Sequence, residues 1–229
     1  MLRPTPAVLA QIPLFRRVGP DDRDRLVGVS HIRAYDRGDH VFREGDESDF
    51  FFVVVTGRVK VYKRTAAGND LILELFGPGG PLGAVAAYES RAYPASAEAL
   101  ESSSCLVIPR QAFFALLEQH PSLVRGLLGS LSLRLVELTT RLAELTGGRV
   151  ETRFARLFLK LADQLGRPER GGTFVPLPLA RQELADLTGT TIETSIRIMS
   201  RWGKEEVLHT EKDGFVLIDR ATLEALAAS

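Results

Sequence analysis

Residues 178–207, PLARQELADLTGTTIETSIRIMSRWGKEEV, constrain the fold more than any other stretch. They read as two short helices joined by a tight turn. Leu179, Leu184 and Leu187 give the first helix an apolar face, and Ala185 is small where two crossing helices must approach closely. Gly189 falls in the turn, where a positive φ costs least. Thr190 and Thr191 can cap the second helix, since a hydroxyl accepts the free N–H groups of a first turn. Ser195, Ile198, Met199 and Trp202 then form that helix's core face, and Ile192, Glu193, Ile196 and Arg197 the opposite one. This is the layout of a helix-turn-helix, whose second helix enters the DNA major groove. An ordinary helical hairpin would share much of the pattern, so the rest of the chain must decide.

The 229 residues allow one or two domains, and 45% hydrophobic content is enough for real cores. The formal net charge is +0 and the pI about 6.9, so any nucleic-acid binding must rest on locally placed charge. One cysteine, Cys105, rules out an internal disulfide and fits a reducing compartment. The start, MLRPTPAVLAQIPLF, is broken by three prolines and is expected to be neither a signal peptide nor a membrane span. A cytoplasmic protein is the expectation.

Three zones follow one another. A sensor domain is expected over 1–120, with a helical entry at Pro20–Val29. Strand-like runs come next: the Phe42 region, Phe50–Thr56, Arg58–Arg64, Leu71–Phe76, Ala95–Leu100 and Ser104–Pro109. Short strands punctuated by glycine indicate an antiparallel sandwich or barrel. After a short helix at Gln111–Glu118, a dimerisation helix and hinge are expected over 121–148. There Leu128, Leu131, Leu135, Leu138, Leu142 and Leu145 alternate steps of three and four, a heptad seam suited to a second copy of the chain. Packing of that helix on its own barrel is the competing use. Gly147-Gly148 supply a stop and a joint. The last zone, 149–229, opens with a helix at Val150–Leu165, then a turn-rich loop at Gly166–Gly172 and a candidate strand at Phe174–Leu177. The helix-turn-helix follows. Leu208–Thr210 and Phe215–Ile218 around Lys212-Asp213-Gly214 read as a hairpin, the wing of a winged helix-turn-helix.

The order of zones, with Ile12-Pro13-Leu14-Phe15, Gly57-Arg58-Val59-Lys60-Val61, Glu193-Thr194 and Arg197, resembles the Crp/Fnr superfamily of bacterial transcription regulators over nearly the whole length. The resemblance implies an α+β fold: an N-terminal cyclic-nucleotide-binding-type β jelly roll, a long dimer helix and a C-terminal winged helix-turn-helix. It implies a homodimer on palindromic double-stranded DNA, with RNA polymerase as a further partner and no membrane. The family's cyclic-AMP binders carry Gly-Glu and then Arg-Ser in the barrel. Here the effector-pocket positions hold Gly83, Ala84, Tyr93 and Pro94, with Arg91 nearby, and Leu138 and Thr139 stand where the adenine is read. A buried phosphate without a cation is strongly disfavoured, so an effector other than cyclic AMP is expected, or none.

One cysteine cannot hold an iron–sulfur cluster, which needs about four. Haem needs one or two axial ligands, and His31, His40, His120 and His209 qualify by residue type only. A nitrogen-oxide signal, a small apolar ligand and redox sensing at Cys105 remain open. Cys105 is expected to be a buried, inert thiol, because Leu106 and Val107 flank it.

On the recognition helix, isoleucines can meet thymine methyl groups, Glu193 can accept from a cytosine amino group, and Arg197 can donate twice to guanine. Glu193 and Arg197 are also spaced to brace each other. Arg181, Gln182, Thr191, Arg201 and Lys204 are the expected phosphate contacts. No phosphate loop, zinc spacing or nucleophile elbow supports an enzyme. A ligand-binding regulatory module without DNA binding is the alternative, and the helix-turn-helix argues against it.

Overall fold

The computed structural model describes residues 2–16, 18–65, 68, 70–83, 91–147, 149–169 and 171–228. Two four-stranded antiparallel sheets face each other in the N-terminal half. One has β1 (His31–Tyr35), β8 (Ser103–Pro109), β3 (Phe50–Thr56) and β6 (Pro81–Leu82) in that spatial order. The other has β2 (His40–Phe42), β7 (Ser96–Ala99), β4 (Val59–Arg64) and β5 (Asp70–Phe76). Alternation along a strand decides which layer each side chain joins. Phe52, Val54, Cys105 and Val107 enter the core between the sheets, where Phe42, Phe76 and Tyr93 also lie. Phe51, Val53, Leu106 and Ile108 point the other way.

That second face is covered by helices: α1 (Pro6–Gln11), a 3₁₀ turn (Pro13–Phe15), α2 (Pro20–Val29) and α3 (Arg110–Gln119). Phe51 stacks on Phe113 with ring centroids 3.8 Å apart. Each such fully buried side chain stabilises the fold by about 1.5–3 kcal/mol.

The long helix α4 (Pro121–Gly147) starts against the same layer through Leu123 and Leu127. Further along it Leu128 is 57% exposed, Leu135 64% and Leu138 40%, while Leu131 is half-buried. Packing on the barrel, the competing use, is made by Leu123 and Leu127, while Leu128 and Leu135 are exposed. Leu142 and Leu145 are on the helix, but their side chains lie outside the described part, as does Gly148 of the expected joint. The chain divides within α4 into two compact units, Met1–Val136 and Glu137–Ser229.

The second unit contains α5 (Val150–Leu165), β9 (Arg167–Glu169), β10 (Gly172–Val175), α6 (Arg181–Thr188), α7 (Ile192–Lys204), β11 (Leu208–Glu211), β12 (Gly214–Leu217) and α8 (Arg220–Ala228). The strands form one antiparallel sheet in the order β11-β12-β10-β9. The reading of 166–172 as loop is corrected: Arg167–Glu169 pairs with β10 as an edge strand. Trp202, 1% exposed, is the centre of the core. It meets Phe154 and Phe158 edge-on at 6.2 and 6.3 Å, and Phe158 meets Phe215 at 5.1 Å. Among the described residues no helix is long and apolar enough to cross a membrane.

Candidate nucleic-acid interface

Helices α6 and α7 are held at their junction by backbone chemistry. Gly189 ends α6 at φ 62°, ψ 49°, the left-handed region where a Cβ is costly. The Thr190 N–H then reaches back to the Ala185 carbonyl at 3.0 Å, closing the helix end. Thr191 is the N-cap of α7, and its Oγ1 accepts the Thr194 N–H. At the other end of α6 the Ala180 N–H donates to Glu183 Oε2 at 2.6 Å. Arg153 of α5 donates to the carbonyls of Thr188 and Gly189 at 2.7 and 3.3 Å, fastening the turn from below.

The faces of α7 separate as the periodicity predicts. Ser195, Ile198, Met199 and Trp202 are buried, whereas Ile192, Glu193, Ile196 and Arg197 are exposed together. Ile196 is 49% exposed, an unusual place for isoleucine on a free surface. The Glu193 carboxylate accepts from its own backbone N–H and from the Thr191 hydroxyl, which holds its pKa below the ordinary range. It is therefore an acceptor throughout the neutral range. The expected brace between Glu193 and Arg197 is corrected: no ion pair joins them among the described residues, because Glu193 turns toward the helix start instead.

The expected phosphate contacts differ in their surroundings. Arg181 Nη2 donates to Thr210 Oγ1 at 2.8 Å, and partial burial lowers its pKa. Gln182 donates to Asp186 Oδ1 at 2.7 Å. Arg201 is taken up by carboxylates, at 2.7 Å from Glu151 and 3.8 Å from Glu205. Lys204 and Thr191 are exposed.

In the sandwich, Tyr93 is 3% exposed and stacks on Phe42 with centroids 4.0 Å apart. Its hydroxyl donates to the Phe50 carbonyl at 2.6 Å, and burial pushes its pKa up to about 12. Gly83, at φ 74°, lies against the Tyr93 ring, so close that a Cβ there would stand 2.9 Å from Cε1. Pro94 and Arg91 are exposed, Leu138 and Thr139 are exposed on α4, and Ala84 lies outside the described residues. Cys105 is fully buried, and burial pushes its thiol up to about 12.

The histidines are dispersed. His40 Nε2 is 3.0 Å from Tyr62 Oη, and His120 Nε2 is 2.7 Å from Asp22 Oδ2. His31 is half-buried on β1, and His209 is exposed on β11. Among the described residues no three His, Cys, Asp or Glu side chains gather to hold a metal ion.

Two family descriptions match this chain. Residues 32–120 match the cyclic nucleotide-binding domain, and residues 152–226 match the Crp-like helix-turn-helix domain. The chain belongs to the Crp/Fnr family of transcription regulators. It is 28% identical over 215 residues to the cyclic AMP receptor protein of Thermus thermophilus, covering 94% of this chain and 96% of that one. It is 29% identical over 196 residues to the nitrogen fixation regulation protein FixK of Bradyrhizobium diazoefficiens, covering 85% and 81%. The fold of FixK2 from Bradyrhizobium japonicum superposes with a TM-score of 0.76 at 23% identity, over 88% of this chain and 98% of that one. The relatives are transcription regulators rather than enzymes, and the function of this Crp/Fnr chain is that of a helix-turn-helix DNA-binding regulator.

Proposed function

We propose that this Crp/Fnr regulator works in the cytoplasm as a homodimer joined along α4. It reads palindromic DNA with the outward face of α7 and acts with RNA polymerase. The observation that carries the DNA contact is the joint exposure of Ile192, Glu193, Ile196 and Arg197, opposite a face buried on Trp202. Arg197 donates to guanine, Glu193 accepts from cytosine, and the isoleucines meet thymine methyl groups. Arg181, Gln182, Thr191 and Lys204 contact phosphates. Arg201 does so only in competition with Glu151. Leu128, Leu131, Leu135 and Leu138 supply the dimer seam, which the exposure of Leu128, Leu135 and Leu138 on α4 supports. Leu142 and Leu145 continue it by sequence.

The regulator responds to an effector other than cyclic AMP or acts without one. That nucleotide is the natural candidate, given the name of the Thermus relative. Against it, the position of the expected phosphate-binding arginine holds Tyr93, whose ring fills the core and whose hydroxyl is committed to Phe50. Its partner position holds the exposed Pro94. Neither Tyr93 nor Pro94 offers a phosphate a cation, and burying such a charge unpaired is costly. Calorimetry with cyclic AMP at millimolar concentration is expected to give no binding signal. Micromolar affinity together with enhanced DNA binding would overturn this assignment.

A further inference from the structure

We propose that Thr210, on the wing strand β11, is a positioning residue for DNA binding, holding the Arg181 guanidinium ready for a phosphate. The inference rests on the reading of Arg181 as a phosphate contact. Arg181 is the first residue of α6 and Thr210 lies 29 positions later, yet Arg181 Nη2 and Thr210 Oγ1 are 2.8 Å apart. A cation at a helix N-terminus opposes the macrodipole, and partial burial adds a desolvation cost. A side chain kept in so unfavourable a place invites a use for its charge.

The choice of partner points to that use. Two other arginines of this unit face carboxylates: Arg201 faces Glu151 at 2.7 Å, and Arg220 faces Asp163 and Glu224 at 2.9 and 2.8 Å. Those charges are neutralised in place. Arg181 faces a neutral hydroxyl, which fixes the fork and leaves the charge intact. The guanidinium has five N–H donors, and Thr210 takes one. The others can meet two phosphate oxygens in the bidentate manner that suits this group. Thr210 is itself exposed, on the edge strand of the sheet, and its hydroxyl is not needed for the core. Without it Arg181 regains its rotamers, and DNA must order the side chain on binding.

The test is a double-mutant cycle on the full chain. It uses fluorescence anisotropy over a salt series, with a duplex recovered by selection from a random pool. Arg181→Ala is expected to weaken binding and to lower the salt slope by about 0.9 for each phosphate that the guanidinium neutralises. Thr210→Val is expected to weaken binding about two- to tenfold, the loss of one hydrogen bond's worth. Thr210→Ser, which keeps the hydroxyl, restores wild-type affinity. In the Arg181→Ala background Thr210→Val has no further effect. Thr210→Ala serves in place of valine if the valine variant unfolds at lower temperature than wild type. An undiminished Thr210→Val effect without Arg181 overturns the proposal, since independent sites add. So does a serine variant that fails to rescue. A weakened Arg181→Ala with a neutral Thr210→Val overturns the positioning role alone. A neutral Arg181→Ala overturns both that role and the phosphate contact beneath it.

Discussion

Arg197 and Arg201 lie one helical turn apart on the same helix, and their neighbours give them different work. Arg201 spends its charge on Glu151 and Glu205. Arg197 is exposed among the residues opposite Trp202. Arg197→Ala is therefore expected to cost about 1–3 kcal/mol per half-site and to flatten discrimination at one guanine. Anisotropy titrations against single-base variants of the selected site measure both quantities. Uniform weakening across the variants would make Arg197 a backbone contact. In the sandwich, the interior acids give a pH test. Burial raises Cys105 from 9.0 to about 12, and Tyr35 and Tyr93 from 10.0 to about 12. Above pH 9 the unfolded chain loses these protons while the folded one keeps them, so the unfolded state binds fewer protons and stability falls as pH rises. Their contribution is whole below pH 9 and is lost between pH 9 and 12. Urea unfolding across that range should show the decline, with its onset moved toward pH 10 in Cys105→Ala. The faces of α7 are legible from a 3.6-residue period. The partners of Arg181 and Arg201 are not, because Thr210 and Glu151 lie 29 and 50 positions away along the chain and no local pattern signals them.

Among the elements, those with strong periodic burial are legible in the sequence and those without it are not. Val150–Leu165 and the two helices of the DNA reader carry regular apolar faces, Gly189 and Thr191 mark the ends of the latter two, and all three stand where the sequence places them. β1 gives no such signal, because only Tyr35 in His31–Tyr35 is buried. β9 is wholly exposed and contains Pro168, so nothing in it signals a strand except its pairing with β10. α8 buries Leu223 alone. One element end carries strain that the sequence hides. α7 closes with the Val207 N–H on the Trp202 carbonyl at 2.9 Å, a geometry that needs a left-handed residue between them. That residue is Glu206, at φ 54°, where glycine is the usual choice. Glu206→Gly is expected to raise stability by about 1 kcal/mol, offset in part by the greater freedom of an unfolded glycine. Chemical denaturation reads this directly, and a loss of stability would mean that the Glu206 side chain holds the wing.

At the scale of the whole molecule, a chain of formal net charge +0 must draw its affinity for DNA from locally placed cations rather than from bulk charge. In the proposed dimer the reader is doubled along α4, where Leu128, Leu135 and Leu138 are exposed. Lysine at both Leu135 and Leu138 places charge in that seam. Sedimentation should then give monomers, and DNA affinity should fall as the second reader is lost. A dimer of unchanged mass would remove the seam from α4. The central claim, that two copies of α7 read a symmetric site, meets its most direct test in selection of binding sites from random duplex DNA by the wild-type chain. The expected product is an inverted repeat whose half-sites are centred about 34 Å apart, one DNA turn, each with a G·C-containing core. Enrichment of a single unrepeated site, or of none, would contradict it.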